Sequence, residues 1–334
     1  MKIAVIGAGA IGNLVAGYLK IKAEEVSLVG SLDSVKAIKE RGLEIFGVRG
    51  DLDIAIDIEE ALSYAPDLAI FATKTQDLEK ALSKNKEFLN NAIILTTQNG
   101  VQADNLAAQF FPKENIISSI VMFGSTYLKP GEVVHNFDGP WIIGKIFSPN
   151  DEKVEKISHI LNKAFPVTTS DEILGMKYLK IFVNANNCIP AILGKSMQEV
   201  FSSPEVSRVS IAIWKEGLDI VTQSGIKLVS LPDFPLERLT KLTSIPADAA
   251  ADIFSGIMAN LSKAPLYGSI LQSIKRKKPS EIDYINGEFV RLAEKNNLNA
   301  GLNKKLVEMV HQVEEAGQFF SKEDLLKNTK ELLN

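Results

Sequence analysis

The chain has 334 residues, 46% of them hydrophobic and 23% charged, a soluble globular composition long enough for two domains rather than one small core. A formal net charge of -4 argues against a nucleic-acid binder, which would carry a basic excess. The single cysteine, Cys188, permits neither an internal disulfide nor a cysteine-based metal site and fits a reducing, cytoplasmic setting; His135, His159 and His311 show no metal-ligand spacing.

The first element is KIAVIG, a short buried strand, followed by Ala8-Gly9-Ala10-Ile11-Gly12 and the apolar helix IGNLVAGYLK. Gly7, Gly9 and Gly12 therefore spell G-x-G-x-x-G at a strand-to-helix turn. The first glycine permits the tight turn, the second lets a pyrophosphate approach the backbone, and the third lets helix and strand pack closely. Residues Gly7, Ala8, Gly9, Ala10, Ile11 and Gly12 are thus the expected dinucleotide cradle, with the positive end of the helix toward the phosphates. Lys2 ahead of this apolar stretch also has the outline of a secretion signal, but the glycine spacing favours the nucleotide reading. No run reaches the roughly 18 apolar residues of a membrane span.

The second strand, EVSLVG, ends at Gly30-Ser31, where an NAD site would usually carry an acid for the ribose hydroxyls. Its absence leaves room for a 2'-phosphate, with Ser31 and Lys36 as contacts, and favours NADP over NAD. Asp33 reads as an N-cap acid for the helix SVKAIKERG. A hairpin over LEIFGVRGDLDIAI precedes two further α/β units. Their strands, PDLAIFATKTQ and AIILTTQNG, run into Lys74 and Gln76 and into Gln98, Asn99 and Gly100. The carboxyl ends of parallel strands are where open sheets bind ligands, so Lys74 and Asn99 are cofactor or substrate candidates; Asn99-Gly100 also reads as a plain turn. From 116 to 147, antiparallel strands are expected to extend the sheet, with His135 as a half-exposed strand residue. The helix DEKVEKISHILNKAF follows, and PVTTSDEI leads out of the domain.

From Asp171 the periodicity is helical, with breaks at SSPEV, SLPDFP, KAPLYGS and KRKKPS, predicting roughly five to seven helices. The expected organisation is a Rossmann-type doubly wound α/β domain over 1–170 and an all-α domain over 171–334. KYLKIFVNANNC, residues 177–188, reads as one helix of unusual polarity. At 3.6 residues per turn Lys180, Asn184 and Cys188 share a face, with Asn187 beside them. Such a stripe faces either solvent or a ligand. Lys177, one turn earlier, is as well spaced as Lys180 to act in catalysis.

Three segments carry a resemblance to a known family: the QNG turn at 98–100, the K-x-x-x-N pair Lys180/Asn184, and SILQSIKRKKPSEIDYINGEFVRLAE at 269–294, close to S-x-L-Q-D-I-x(4–5)-T-E-I-D-Y-I-N-G. The chain resembles the ketopantoate reductases (2-dehydropantoate 2-reductases) over nearly its whole length. The resemblance implies a 6-phosphogluconate-dehydrogenase-like helical domain and an NADPH-dependent reduction of 2-dehydropantoate to (R)-pantoate, toward pantothenate. It implies Lys180 as the general acid, Asn184 as a substrate-binding amide, Ser269 at the substrate carboxylate and Glu281 at the substrate hydroxyl. It also places Lys74, Asn99 and Glu281 near the cofactor. The chemistry agrees: reducing a 2-keto acid builds negative charge on the carbonyl oxygen, and a lysine whose pKa falls on desolvation is a suitable proton donor. Glu281 alternatively reads as a first-turn acid, with Ser280 as N-cap and Asp283 at N3. The run KRKK reads as a solvated loop.

Departures from the family bear on the substrate. A second asparagine, one turn after the Asn184 position, is Cys188 here; another, three residues before Ser269, is Leu266; and the arginine common after the second strand is Ser31. Loss of amides that bond a substrate hydroxyl weakens discrimination for it. A reductase of another, less polar 2-keto acid is therefore the first alternative, and a non-catalytic NADP sensor the second. The expected partner is a small-molecule 2-keto acid, with no nucleic acid and no membrane, and apolar helical surfaces are compatible with a homodimer.

Overall fold

The computed structural model describes residues 1–22, 24–260, 262 and 264–333; Lys263, at the head of the KAPLYGS break, lies outside them. The chain forms two compact units, Met1–Leu174 and Gly175–Asn334.

In the first unit the elements are β1 (Lys2–Ile6), α1 (Ala10–Ile21), β2 (Glu25–Val29), α2 (Leu32–Arg41), β3 (Leu43–Gly47), β4 (Leu52–Ile54), β5 (Asp57–Glu59), β6 (Leu68–Phe71), α3 (Thr75–Asn85), β7 (Ile93–Thr96), α4 (Ala103–Ala107), β8 (Ile116–Val121), β9 (Gly124–Lys129), β10 (Glu132–Phe137), β11 (Trp141–Gly144), α5 (Glu152–Leu161) and β12 (Val167–Thr169). An eight-stranded sheet has the order β12-β11-β8-β7-β6-β1-β2-β5. The strands from β8 to β5 are parallel, and β11 with β12 runs the opposite way. Alternation explains the unbroken apolar strands. Ile3, Val5, Leu68, Ile70 and Leu95 face one core, while Ala4, Ile6, Ala69, Phe71 and Ile94 face the other. A sheet buried on both faces needs both sets.

The 116–147 region departs from expectation. Only β8 and β11 extend the main sheet; β9 and β10 join the β3–β4 hairpin in a separate four-stranded sheet ordered β4-β3-β10-β9. Single-strand periodicity does not say which sheet a strand enters. PVTTSDEI contributes β12, at the sheet edge, before the chain turns helical. His135 is fully buried, not half-exposed, because Nδ1 bonds the Tyr18 hydroxyl at 2.9 Å. Burial lowers its pKa, against the opposing pull of Asp138.

The second unit contains α6 (Ile173–Ala185, which begins two residues ahead of it), α7 (Cys188–Leu193), α8 (Met197–Phe201), α9 (Pro204–Gln223), α10 (Leu236–Ser244), α11 (Ala247–Ala259), α12 (Ser269–Lys275), α13 (Asn286–Lys295), α14 (Gly301–Ala316) and α15 (Lys322–Thr329). These are ten helices among the described residues, more than expected, because short helices separated by single turns share one continuous apolar periodicity. The long α9 lies at the centre of the packing. Its Trp214 indole N–H donates to the Phe182 carbonyl at 2.8 Å. Gly217 leaves room for the Phe289 ring, which a Cβ there would approach to 2.8 Å. No described helix is long and apolar enough to cross a membrane.

Helix α14 has no side-chain cap of its own, and Glu216 of α9 supplies one. Its carboxylate accepts the Leu302 and Asn303 backbone N–H groups and the Asn303 side chain, each at 2.8 Å. A charged acceptor on otherwise unpaired N-terminal amides stabilises a helix. Glu216→Ala should lower stability by about 1–2 kcal/mol, read as an earlier urea midpoint with an unchanged slope.

Candidate active site

In the first unit the loops that follow β1, β2, β6 and β7 leave the same edge of the parallel sheet. The strand order reverses between β1 and β6, the position at which such sheets form a ligand crevice. The three glycines divide their work. Gly7 has φ +116, and a Cβ there would sit 2.6 Å from the Thr73 nitrogen; a Cβ on Gly12 would collide with the Gly7 carbonyl oxygen. Both are required by the fold. A Cβ on Gly9 would meet nothing within 4 Å. The space above Gly9 is open, and α1 begins there with no side-chain cap, so its first amides are free of side-chain acceptors. These residues fit the pyrophosphate of a dinucleotide.

After β2, Ser31 is the N-cap of α2, its hydroxyl accepting the Ser34 N–H at 3.4 Å. Asp33, expected at the cap, sits in the first turn instead. Ser31 and Lys36 are both exposed. Lys74 precedes α3 and Asn99 follows β7, each half-buried. Gln98 joins their loops: Nε2 donates to the Phe71 and Thr73 carbonyls at 2.9 Å each, and Oε1 accepts Thr97 N–H at 3.1 Å. Thr75 adds a hydroxyl bond to the Asn99 carbonyl at 3.4 Å. The turn reading of Asn99-Gly100 also holds, since Gly100 has φ +79.

In the second unit, α6 carries Lys177, Lys180 and Asn184 along successive turns. Lys180 is half-buried and its ammonium pKa is lowered to about 8, first by burial, then by the charge of Lys177, with Glu281 pulling the other way. Lys177 is only 3% exposed. Lys177, Lys180 and Glu281 are therefore one electrostatic cluster, able to deliver a proton near neutral pH.

The polar stripe ends earlier than expected. Helix α6 stops at Ala185, Asn187 N–H closes a turn on the Asn184 carbonyl at 2.9 Å, and Cys188 opens α7. Consecutive asparagines favour such local turns over a continued helix. Cys188 is fully buried, and burial pushes its thiol up to about 12 despite its hydrogen bond with Asn286. It is a core group, not an extension of the Lys180 face.

Ser269 is exposed at the start of α12. Gly268 before it packs on the Asn187 side chain, which a Cβ would approach to 3.0 Å. Leu266 is half-buried and held through its backbone: its N–H donates to Gln198 Oε1 at 3.0 Å, and its carbonyl accepts Met197 N–H at 2.9 Å. Glu281 heads a single 3-10 turn, Ile282–Tyr284, rather than the first turn of a regular helix. Ser280 accepts Ile282 N–H at 3.3 Å, but the backbone at Ile285 (φ -118, ψ -90) interrupts the run, and α13 starts at Asn286. The run KRKK is exposed, but its first residue, Lys275, closes α12 and only the remainder is loop. Two contributions were not assigned from sequence: Lys177 as the charge that depresses Lys180, signalled by their i,i+3 spacing, and Gln98 as the tie between two ligand loops.

The chain matches two family models, Ketopantoate reductase PanE/ApbA over residues 3–147 and its C-terminal counterpart over 172–314. It is 32% identical to a 2-dehydropantoate 2-reductase of Pyrococcus horikoshii, covering 95% of this chain and 99% of that one. It is 30% identical to the enzyme of the same name from Pyrococcus abyssi, over 91% and 94% of the two chains. Among solved structures it is similar to D-mandelate dehydrogenase in a ternary structure with NADH and anilino(oxo)acetate, with TM-score 0.79 and 25% identity over 95% of this chain and 99% of that one.

The different demands on the glycines are separable by experiment. Gly9→Ala should leave the thermal midpoint unchanged and weaken dinucleotide binding by about tenfold or more, equivalent to about 1.4 kcal/mol, in a fluorescence titration. Gly12→Ala should lower the midpoint itself.

Proposed function

The chain belongs to the ketopantoate reductase family, and we propose that it catalyses the NADPH-dependent reduction of 2-dehydropantoate to (R)-pantoate, in the cytoplasm, as a step of pantothenate biosynthesis. The observation that carries this reading is half-buried Lys180 on α6, with Asn184 one turn on and Lys177 one turn before; burial and the Lys177 charge lower its pKa to about 8, and Glu281 opposes them. When bound, the nicotinamide supplies the hydride that reaches C2 of the keto acid. Negative charge then grows on the C2 oxygen, and Lys180 Nζ gives that oxygen its proton, so that C=O becomes CH–OH and the amine is left neutral until solvent reprotonates it. Asn184 binds the substrate from the next turn of the same helix, which fixes its distance from Lys180. Ser269 takes the carboxylate and Glu281 accepts the substrate hydroxyl.

On the dinucleotide side, Gly7 to Gly12 receive the pyrophosphate, and Lys74 and Asn99 stand at the same sheet edge. The preference for NADP rests on Gly30-Ser31 in place of an acid after β2, with exposed Ser31 and Lys36 able to meet a 2'-phosphate.

A second reading, reduction of a less polar 2-keto acid, is favoured by two observations. Cys188 is withdrawn into the core and Leu266 presents no polar side chain; and the chain is similar to D-mandelate dehydrogenase. Comparing kcat/KM for 2-dehydropantoate with that for branched and aromatic 2-keto acids decides between the two.

NADPH oxidation with purified protein and 2-dehydropantoate should show turnover, and Lys180→Ala should lower kcat by at least about 100-fold. Because the acid form of Lys180 reacts, kcat should be level below about 8 and fall as pH rises through it. Lys177→Met removes the neighbouring positive charge and should move that fall to higher pH. An unmoved profile would remove Lys180 from the role of acid.

A further inference from the structure

We propose that His311 is a positioning residue that fastens the turn presenting Glu281 to helix α14; this rests on Glu281 meeting the substrate. Glu281 lies between Ser280 and Asp283 in the Ser280-Glu281-Ile282-Asp283 segment, and both of these residues are tied to the same place on α14. His311 Nε2 is 3.0 Å from Asp283 Oδ1, and Nδ1 is 3.1 Å from Glu314 Oε2. The second oxygen of Glu314, Oε1, accepts the Ser280 backbone N–H at 2.8 Å. Glu281 is therefore bracketed by two tethers that converge on one imidazole.

Chemistry sets the protonation state of that bracket. A carboxylate only accepts hydrogen bonds, so an imidazole between two carboxylates satisfies both only when both ring nitrogens carry hydrogen. Burial works against the charged ring, but the bonds and charges of Asp283 and Glu314 outweigh it and raise the His311 pKa. From α13, Arg291 donates to the Asp283 carbonyl at 2.6 Å and pairs with Glu288; on α14, Glu308 and Glu315 are exposed. The arrangement holds below the raised pKa. As pH rises through it, one ring nitrogen turns a lone pair toward a carboxylate, and a tether is lost.

The consequence is read in substrate binding at a pH where Lys180 is protonated; because Glu281 also supports the Lys180 pKa, the alkaline fall of kcat should move to lower pH when the turn is loosened. Well below the Lys180 pKa, His311→Gln should raise KM for the keto acid about tenfold, as expected for losing one charge-assisted hydrogen bond, with kcat and the NADPH KM within about twofold. His311→Arg keeps a permanent cation with several donors and should restore most of the loss. In the parent enzyme the keto-acid KM should climb as pH rises through the His311 pKa, and this climb should vanish in both variants. Hydrogen–deuterium exchange over 279–285 should quicken in His311→Gln and recover in His311→Arg, a readout independent of turnover. Unchanged exchange and an unchanged keto-acid KM in His311→Gln overturn the proposal, as does a uniform loss in both KM values and kcat that tracks a lower thermal midpoint. Glu281→Gln, measured alongside, separates the premises. If it leaves KM unchanged, the role of Glu281 itself is wrong; if it raises KM while His311→Gln does not, only the positioning role falls.

Discussion

Removing an ammonium group from water favours loss of its proton, and the polar face of α6 depends on how far that loss is allowed to go. At Lys180 burial and the charge of Lys177 push toward the neutral amine, while Glu281 pushes back. The balance leaves an ammonium that gives up its proton more readily than a lysine in water and can regain it near neutral pH. Such a balance demands fixed distances. Helix α6 provides them along its own axis and is anchored from behind where Phe182 meets Phe289, with ring centroids 4.9 Å apart, and where Trp214 bonds the Phe182 carbonyl.

The nucleotide-binding unit solves a different problem, that of bringing backbone close to an anion. Parallel pairing of β1 with β2 and β6 delivers several strand ends to one edge. At that edge two glycines are dictated by the fold's own contacts, and a third lies under open space. The loops beyond β6 and β7 are not independent, because one buried glutamine bonds both.

Much of this was legible in the sequence because it rests on local rules. The G-x-G-x-x-G spacing between a strand and a helix, the acid-free end of β2, and Lys180 with Asn184 one turn apart all declare themselves within a few residues. What was not legible depends on partners distant in the chain. His135 looked half-exposed because nothing near it in sequence announces Tyr18; β9 and β10 gave no sign that they would pair with the β3 hairpin rather than with β8. The helix over 177–188 was overextended because apolar periodicity survives a one-turn interruption, so the break at Asn186–Asn187 was hidden and Cys188 was assigned to the wrong helix. The alternative reading of Glu281 as a helical first-turn acid follows from S-x-x-D matching a capping pattern, whereas the backbone at Ile285 allows only a short 3-10 turn.

The interruption between α6 and α7 separates the Lys180 face from the neighbouring core around Cys188. In one uninterrupted rod, a bulkier side chain at position 188 would shift or rotate everything upstream of it, Lys180 included. With a turn at Asn186–Asn187, such a shift is absorbed in a few backbone torsions, and α7 can tilt while α6 stays in register with α9. Residues around the turn can therefore change in size while Lys180 and Asn184 keep their spacing on α6.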